Sequence, residues 1–144
     1  MKSEPAVYGI EDLEKEGETL WDGVRNYQAR NYLRAMTPGD LVFFYHSNTK
    51  VPGIVGLARV KETGVIDPSQ FNPDSPYFDP KSSHQSPRWD TVSVAWVETF
   101  PRPLSLATLK EKFSSHELLL VRKGNRLSVM PVERSIAELI LSMI

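Results

Sequence analysis

The chain contains no cysteine. That absence excludes disulfides, thiolate nucleophiles, cysteine-ligated zinc and iron–sulfur clusters. It agrees with a reducing compartment, and the expected location is the cytoplasm. Histidine is scarce: His46, His84 and His116 lie far apart, without the paired spacing of a zinc site, so no metal is expected. No apolar run approaches the roughly 20 residues that span a bilayer. Met1-Lys2-Ser3-Glu4-Pro5 opens without the apolar stretch of a secretory signal, so no membrane association is expected. Glycine-rich phosphate loops are missing as well, since Gly53-Ile54-Val55-Gly56 is neither a Walker nor a Rossmann element, and no nucleotide cofactor is expected. No serine sits on a recognisable nucleophile turn.

A large excess of charge of one sign is also lacking. The net charge is −1 and the isoelectric point about 6.3, which argues against sequence-blind clamping of a duplex through many phosphate contacts. The charge is unevenly placed. Residues 1–20 hold two lysines and six acids, so the remainder carries a positive balance; Arg25, Arg30 and Arg34 fall close together with no acid among them. A local basic face is compatible with this faintly acidic chain.

What is present is an ordinary globular composition, 40% hydrophobic and 24% charged over 144 residues, enough for one domain with one core. Ile10 to Glu16 reads as a short helix stopped by Gly17, and Asn26 to Met36 as a second with Ala29, Tyr32, Leu33 and Met36 on one side. Leu41 to Ser47 is a nearly continuous apolar run and predicts a buried strand. Gly53 to Val65 predicts another, with Gly53 and Gly56 marking a bulge or a close backbone approach. Thr91 to Phe100 alternates cleanly and is expected to end at Pro101-Arg102-Pro103. Ser105 to Phe113 reads as a helix capped by Ser105, His116 to Leu120 as a further helical turn, Arg126 to Met130 as a last strand, and Pro131 to Ile144 as a closing helix.

Residues 67–89 stand apart. Pro68, Pro73, Pro76, Pro80 and Pro87 block both helix and central strand there. A loop of that length inside a compact domain is usually functional or disordered; its four aromatics, Phe71, Tyr77, Phe78 and Trp89, predict that it is pinned down and ordered. Strands and helices do not alternate regularly, so the expected class is α+β, a mixed or antiparallel barrel with peripheral helices.

Several blocks then occur in a recognisable order: Lys2-Ser3-Glu4-Pro5, Trp21-Asp22-Gly23-Val24-Arg25-Asn26-Tyr27-Gln28-Ala29-Arg30-Asn31, Gly39-Asp40, Phe43-Phe44-Tyr45-His46-Ser47, Pro52-Gly53-Ile54-Val55-Gly56, Tyr77-Phe78-Asp79-Pro80-Lys81 and Pro87-Arg88-Trp89. Together they resemble the EVE-domain family, over essentially residues 1–132. The resemblance implies a single PUA-like domain over 1–144, related to PUA, ASCH and YTH domains, of a family with bacterial members. It also implies a binding module for DNA or RNA that holds one modified nucleobase in a pocket. Family members usually begin with a short Tyr-Trp-Leu strand before Lys-Ser-Glu-Pro; here Met1 abuts Lys2, so the expectation is that this strand is missing or that the start was chosen late.

The residues support the same chemistry. Aromatics stack on bases, amides bond base edges in pairs, and guanidinium groups meet phosphates. The candidate base-binding set is Lys2, Ser3, Trp21, Asn26, Tyr27, Asn31, Tyr45, Ser47 and Trp89, with Trp21 and Trp89 able to sandwich a methylated base by analogy with the YTH cage. Arg25, Arg30, Lys81 and Arg88 are the candidates for steering the backbone. Trp96, inside an apolar strand, is assigned to the core, and His46 to a satisfied position near it. No catalytic residue is assigned. The alternative is an ASCH-like amidohydrolase acting on an acylated nucleoside, with Lys2 as activator and Glu4 as acid or base. No oligomerisation signal is visible, and a monomer is expected.

Overall fold

A computed structural model describes all residues from Met1 to Ile144. It has five strands, β1 (Lys2–Ser3), β2 (Glu18–Leu20), β3 (Leu41–His46), β4 (Gly53–Ile66) and β5 (Asp90–Ser105), and four helices, α1 (Ile10–Glu16), α2 (Tyr27–Ala35), α3 (Leu106–Lys112) and α4 (Arg134–Ser142). The strands form one mixed sheet in the order β1-β3-β4-β5-β2. β1 runs parallel to β3, and every other pair is antiparallel. The class is therefore α+β, as expected. The ladder itself does not close, because β1 and β2 are its two edges.

The sheet is buried on both faces, which explains the unbroken apolar run of β3. Val42 and Phe44 join a core with Ile10, Leu13, Trp21, Leu33, Val92 and Val94, under α1 and α2. Tyr45 points into a second core with Ile54, Leu57, Phe100, Leu109 and Ile140, under α3 and α4. Backbone geometry agrees with the two glycines singled out in β4. A Cβ on Gly56 would lie 2.4 Å from the carbonyl oxygen of Glu98, and one on Gly53 2.4 Å from that of Leu104. Neither position admits a side chain, because β5 crosses directly over it.

Helix ends follow local chemistry. Asn26 caps α2 by accepting from the Ala29 N–H at 2.9 Å, and Ser105 caps α3 by accepting from Thr108. Asp12 reaches back to the Gly9 N–H at 2.7 Å and closes the start of α1. His46 Nε2 accepts from the Ile10 N–H at 3.1 Å, so this histidine is satisfied by the same helix start. Trp96 is half-buried at the core margin, its Nε1–H donating to Thr99 at 2.9 Å.

Four expectations are corrected. β5 does not stop at Phe100 but continues to Ser105, since Phe100 to Pro103 bulge out between the Gly56–Thr99 and Ile54–Leu104 pairs. Proline has no N–H to give a ladder and is tolerated where the ladder is already interrupted. Residues 126–130 form no strand: a single bond, from the Lys2 N–H to the Ser128 carbonyl at 2.8 Å, ties them to β1. The closing helix starts at Arg134 rather than Pro131, and the turn expected from His116 is a single 3-10 turn at Leu119–Val121. Apart from these, Lys2 and Ser3 form the two-residue edge strand β1, Lys2 beside Tyr45 and Ser3 beside His46.

Candidate nucleic-acid interface

A cleft of about 450 Å³ opens between the first residues of the chain and the segment after β2. Lys2, Ser3, Glu4, Val7 and Tyr8 form one side, Leu20 to Arg25 the other, and Tyr77 reaches over from the long loop. Its volume falls within the range of small-molecule sites. Trp21 lies at the base, 8% exposed, with its ring edge-on to Phe44 at 5.4 Å. Polar groups converge above it. The Ser3 hydroxyl donates to the Tyr8 carbonyl at 2.6 Å, which leaves the hydroxyl oxygen free to accept. Asp22 is exposed and lines the cleft, and the only hydrogen bond its carboxylate accepts comes from its own backbone N–H. Partial burial and the nearby charge of Asp67 push its pKa up. Lys2 is held below the usual lysine range by burial, and its ammonium sits 5.8 Å from the Tyr45 ring centroid. The Tyr8 hydroxyl, which donates to Glu16 at 2.8 Å, is pushed up to about 12, mainly by burial.

The Trp21–Arg25 side is shaped by a turn that only glycine fits well. Gly23 has φ +84°, and a Cβ there would lie 2.7 Å from the Tyr77 ring. Its N–H donates to Asp67 at 2.9 Å. Asp67 is the hub of this wall: it also accepts from Arg25 at 3.0 Å and from Ser69. Burial pushes the Asp67 carboxyl up, but bonds from Ser69, Gly23 and Arg25 outweigh that and hold it below the usual carboxylate range. Arg25 donates in addition to the carbonyls of Tyr77 and Val24 and to the Ser69 hydroxyl. Its guanidinium lies between two rings, 5.9 Å from the Tyr77 centroid and 5.2 Å from that of Trp89. It is thus built into the wall, and most of its donors are occupied.

The loop of residues 67–89 is ordered in the way its aromatics predict. Gln70, fully buried, donates to the carbonyls of Asp67 and Trp89 and accepts from Ser82 and from the N–H groups of Arg88 and Trp89. Phe71 stacks on His84 at 3.9 Å, and Trp89 Nε1–H donates to Asp79 at 2.7 Å. Asp79 is held low in pKa chiefly by that bond.

Of the residues singled out in the sequence, the cleft brings together Lys2, Ser3, Trp21 and Arg25. Trp89 is buried outside it, behind Arg25, so Trp21 and Trp89 do not face each other across one hollow. Tyr45 belongs to the second core, because the pleat of β3 turns it away from the Phe44 side. Ser47 joins the region only through its backbone N–H, which donates to the Ser3 carbonyl at 3.0 Å. Asn26 serves as a cap, and Asn31 accepts from Arg30. Tyr27, Arg30 and Arg88 gather on the outer surface beside Trp89, and Lys81 is exposed on the loop. Sequence reasoning passed over Tyr8, Asp22, Tyr77 and Asp67 as site residues. Asp22 lay inside a quoted block but read as a turn, Tyr77 read only as an anchor, and nothing local marked Tyr8 or Asp67.

A mixed sheet covered on both faces, with a cleft beside its parallel edge strand, defines the α+β class of the fold. The EVE-domain profile matches residues 1–143, and the chain belongs to that family. It is 38% identical to human thymocyte nuclear protein 1 in an alignment covering 99% of this chain and 72% of the relative. A crystal structure of a Pseudomonas putida protein superimposes with a TM-score of 0.96 at 50% identity, covering 99% of this chain and 96% of the other. Human THYN1 in complex with 5-methylcytosine-containing DNA superimposes with a TM-score of 0.92 at 38% identity, covering 99% and 94%.

Proposed function

We propose that the protein is a nucleic-acid-binding module that takes one modified nucleobase into the cleft above Trp21. The observation that carries this reading is the composition of that cleft. An aromatic base, two uncommitted acceptors (Ser3 Oγ and the Asp22 carboxylate) and apolar side chains from Val7, Leu20 and Val24 converge on a space of about 450 Å³. The likeness to THYN1, solved with 5-methylcytosine-containing DNA, supports the same reading. Acceptors of this kind suit the exocyclic amine of cytosine, and a carboxylate accepting from that amine is a known pairing. The apolar side chains suit a methyl group. Unstacking a base costs a few kcal/mol, which contacts inside the cleft offset. The reading fits the net charge of −1, since recognition rests on a pocket rather than on many phosphate contacts.

The test is a binding series with oligonucleotides that differ only at one position, carrying 5-methylcytosine, cytosine or thymine. Preference for the methylated base, reduced in Asp22→Asn and abolished in Trp21→Ala, is expected. Equal affinity for all three would refute the reading.

A second reading, an amidohydrolase acting on an acylated nucleoside, is favoured by one observation: Lys2, Ser3 and Glu4 line the same cleft and burial lowers the lysine pKa. Two facts weigh against it. The Ser3 hydroxyl is bound to the Tyr8 carbonyl, and Glu4 is turned outward to accept from Asn48 at 3.1 Å. Release of carboxylate from acylated cytidine, lost in Lys2→Ala, would support it; no release at high protein concentration would retire it.

A further inference from the structure

Tyr27 lies outside the cleft, yet its surroundings are unusually ordered for a surface side chain. The residue is 50% exposed. One face of its ring stacks on Trp89, with centroids 4.8 Å apart and planes 14° from parallel. Trp89 is itself buried and fixed through its Nε1–H to Asp79. The Arg30 guanidinium lies 4.6 Å from the Tyr27 centroid and 5.8 Å from that of Trp89. A group capping the far face of Tyr27 would be separated from Trp89 by the whole thickness of the stack. Arg30 therefore flanks the pair and leaves the outer face of Tyr27 open. Arg88 reaches the Tyr27 hydroxyl from another direction at 3.4 Å.

Two further observations bear on what would cover that face. First, the neighbouring carboxylates are engaged elsewhere: Asp67 with Arg25, Asp79 with Trp89, and Asp90 with Arg34. Arg30 is held through the Arg88 carbonyl at 2.8 Å and Asn31, and neither Arg30 nor Arg88 forms an ion pair, although the charge of Arg88 is felt by Asp79. Second, the platform is continuous with the cleft. Tyr77, Arg25, Trp89 and Tyr27 follow one another as alternating ring, cation, ring and ring, and the first two line the cleft.

We infer that the outer face of Tyr27, flanked by Arg30 and Arg88, is a second nucleotide subsite, which stacks an unpaired base adjacent in sequence to the one in the cleft and holds its phosphates. Every base offers a π-face, so this subsite is indifferent to base identity. A flat ring already stacked on a second ring has little rotamer freedom left to lose, and two guanidinium groups outside any ion pair can meet phosphate oxygens. The chemistry selects strands whose bases are unpaired around the modified position. The inference rests on the nucleic-acid reading above, but it is separable from it.

The test uses the full chain and two single-stranded oligonucleotides carrying 2-aminopurine on either side of a central cytosine or 5-methylcytosine. Comparing the two strands reports on the cleft; comparing wild type with Tyr27 variants on the same strand reports on the platform. Quenching of one 2-aminopurine by wild type on both strands is expected. Tyr27→Leu, which still covers Trp89 but offers no ring, should relieve the quenching and weaken both strands by about tenfold. Tyr27→Trp should deepen the quenching, and it keeps the test open should the leucine variant not fold. Unchanged quenching and affinity in Tyr27→Leu, or no change of signal in Tyr27→Trp, would overturn the inference. Loss of discrimination between the two strands with Tyr27-dependent quenching retained would instead remove the cleft reading and leave the platform standing.

Discussion

Two hollows of the molecule invite comparison, and the larger of the pair is the poorer candidate for recognition. The hollow between α2, the start of β3 and α4 measures about 770 Å³, against about 450 Å³ for the cleft over Trp21. Its lining is dominated by Tyr32, Met36, Leu41, Phe43, Met130 and Val132. The charged groups at its rim are spoken for: Arg59 donates to the Gly39 carbonyl, Asp40 accepts from Thr37, and Arg134 pairs with Glu138. The smaller cleft differs in having acceptors left over and a wall held by a partly buried ion pair. Volume alone therefore says little. What separates the two is how many polar groups each leaves uncommitted at fixed positions.

The comparison breaks most visibly at Trp21. Truncation to alanine removes the base of the cleft and a core ring together, and should cost about 3–5 kcal/mol in chemical denaturation along with all oligonucleotide binding. A loss below about 1 kcal/mol would mean that Trp21 is not integrated in the core.

Next in size is Asp67→Asn. It leaves Arg25, 21% exposed, beside an uncharged partner. Breaking a fully buried pair costs about 3–5 kcal/mol, and the residual solvent access of Arg25 reduces the expected loss to roughly 2 kcal/mol. The pH dependence has a definite sign. Asp67 has a lower pKa folded than unfolded, so its contribution is fully present above the unfolded value of about 3.9 and is lost as pH falls through the folded value. Stability measured against pH in the acid range should therefore fall less steeply in the variant than in wild type.

Gly23→Ala sharpens the comparison on the cleft side alone. A positive φ costs an L-residue about 1–2 kcal/mol, and the new methyl meets the Tyr77 ring. Binding should suffer more than stability, because Tyr77 can swing away only by opening the cleft wall. The smallest effect belongs to the larger hollow. Leu41→Ser, on its exposed rim, should change stability by about 0.5 kcal/mol or less and leave oligonucleotide affinity unaltered. A loss of affinity there would move the site.

The legibility of the sequence followed the range of the interactions involved. Elements set by local chemistry were readable: the Asn26 to Met36 helix, the Ser105 cap and the buried character of Leu41 to Ser47 are written in spacing and side-chain type. The extension of β5 through Pro101 and Pro103 was not, because it depends on the strand rejoining β4 at Leu104 after bulging out, and prolines read alone signal an end. Residues 126–130 have strand-like composition but find only one backbone partner, which no local pattern could reveal. At the site the same division holds. Trp21, Ser3 and Lys2, which line the cleft, could be singled out because they lie in compact blocks. Asp67 was missed because its importance comes from Gly23 and Arg25, more than forty positions away in the chain. Trp89 was placed in the cleft because an aromatic at a loop end suits a wall; only the fold shows Arg25 standing in front of it.

Gln70 carries a consequence for how such chains can diverge. One amide nitrogen clasps the carbonyls of Asp67 and Trp89, so the two roots of the 67–89 loop are fastened to each other independently of what lies between them. Lengthening a loop whose ends are already joined adds only about 0.6 kcal/mol for each doubling. The outward part of the loop, around Asn72 to Ser75, is thus free to gain or shed residues over evolutionary time and to carry new surface contacts, while the hollow beneath Tyr77 keeps its shape.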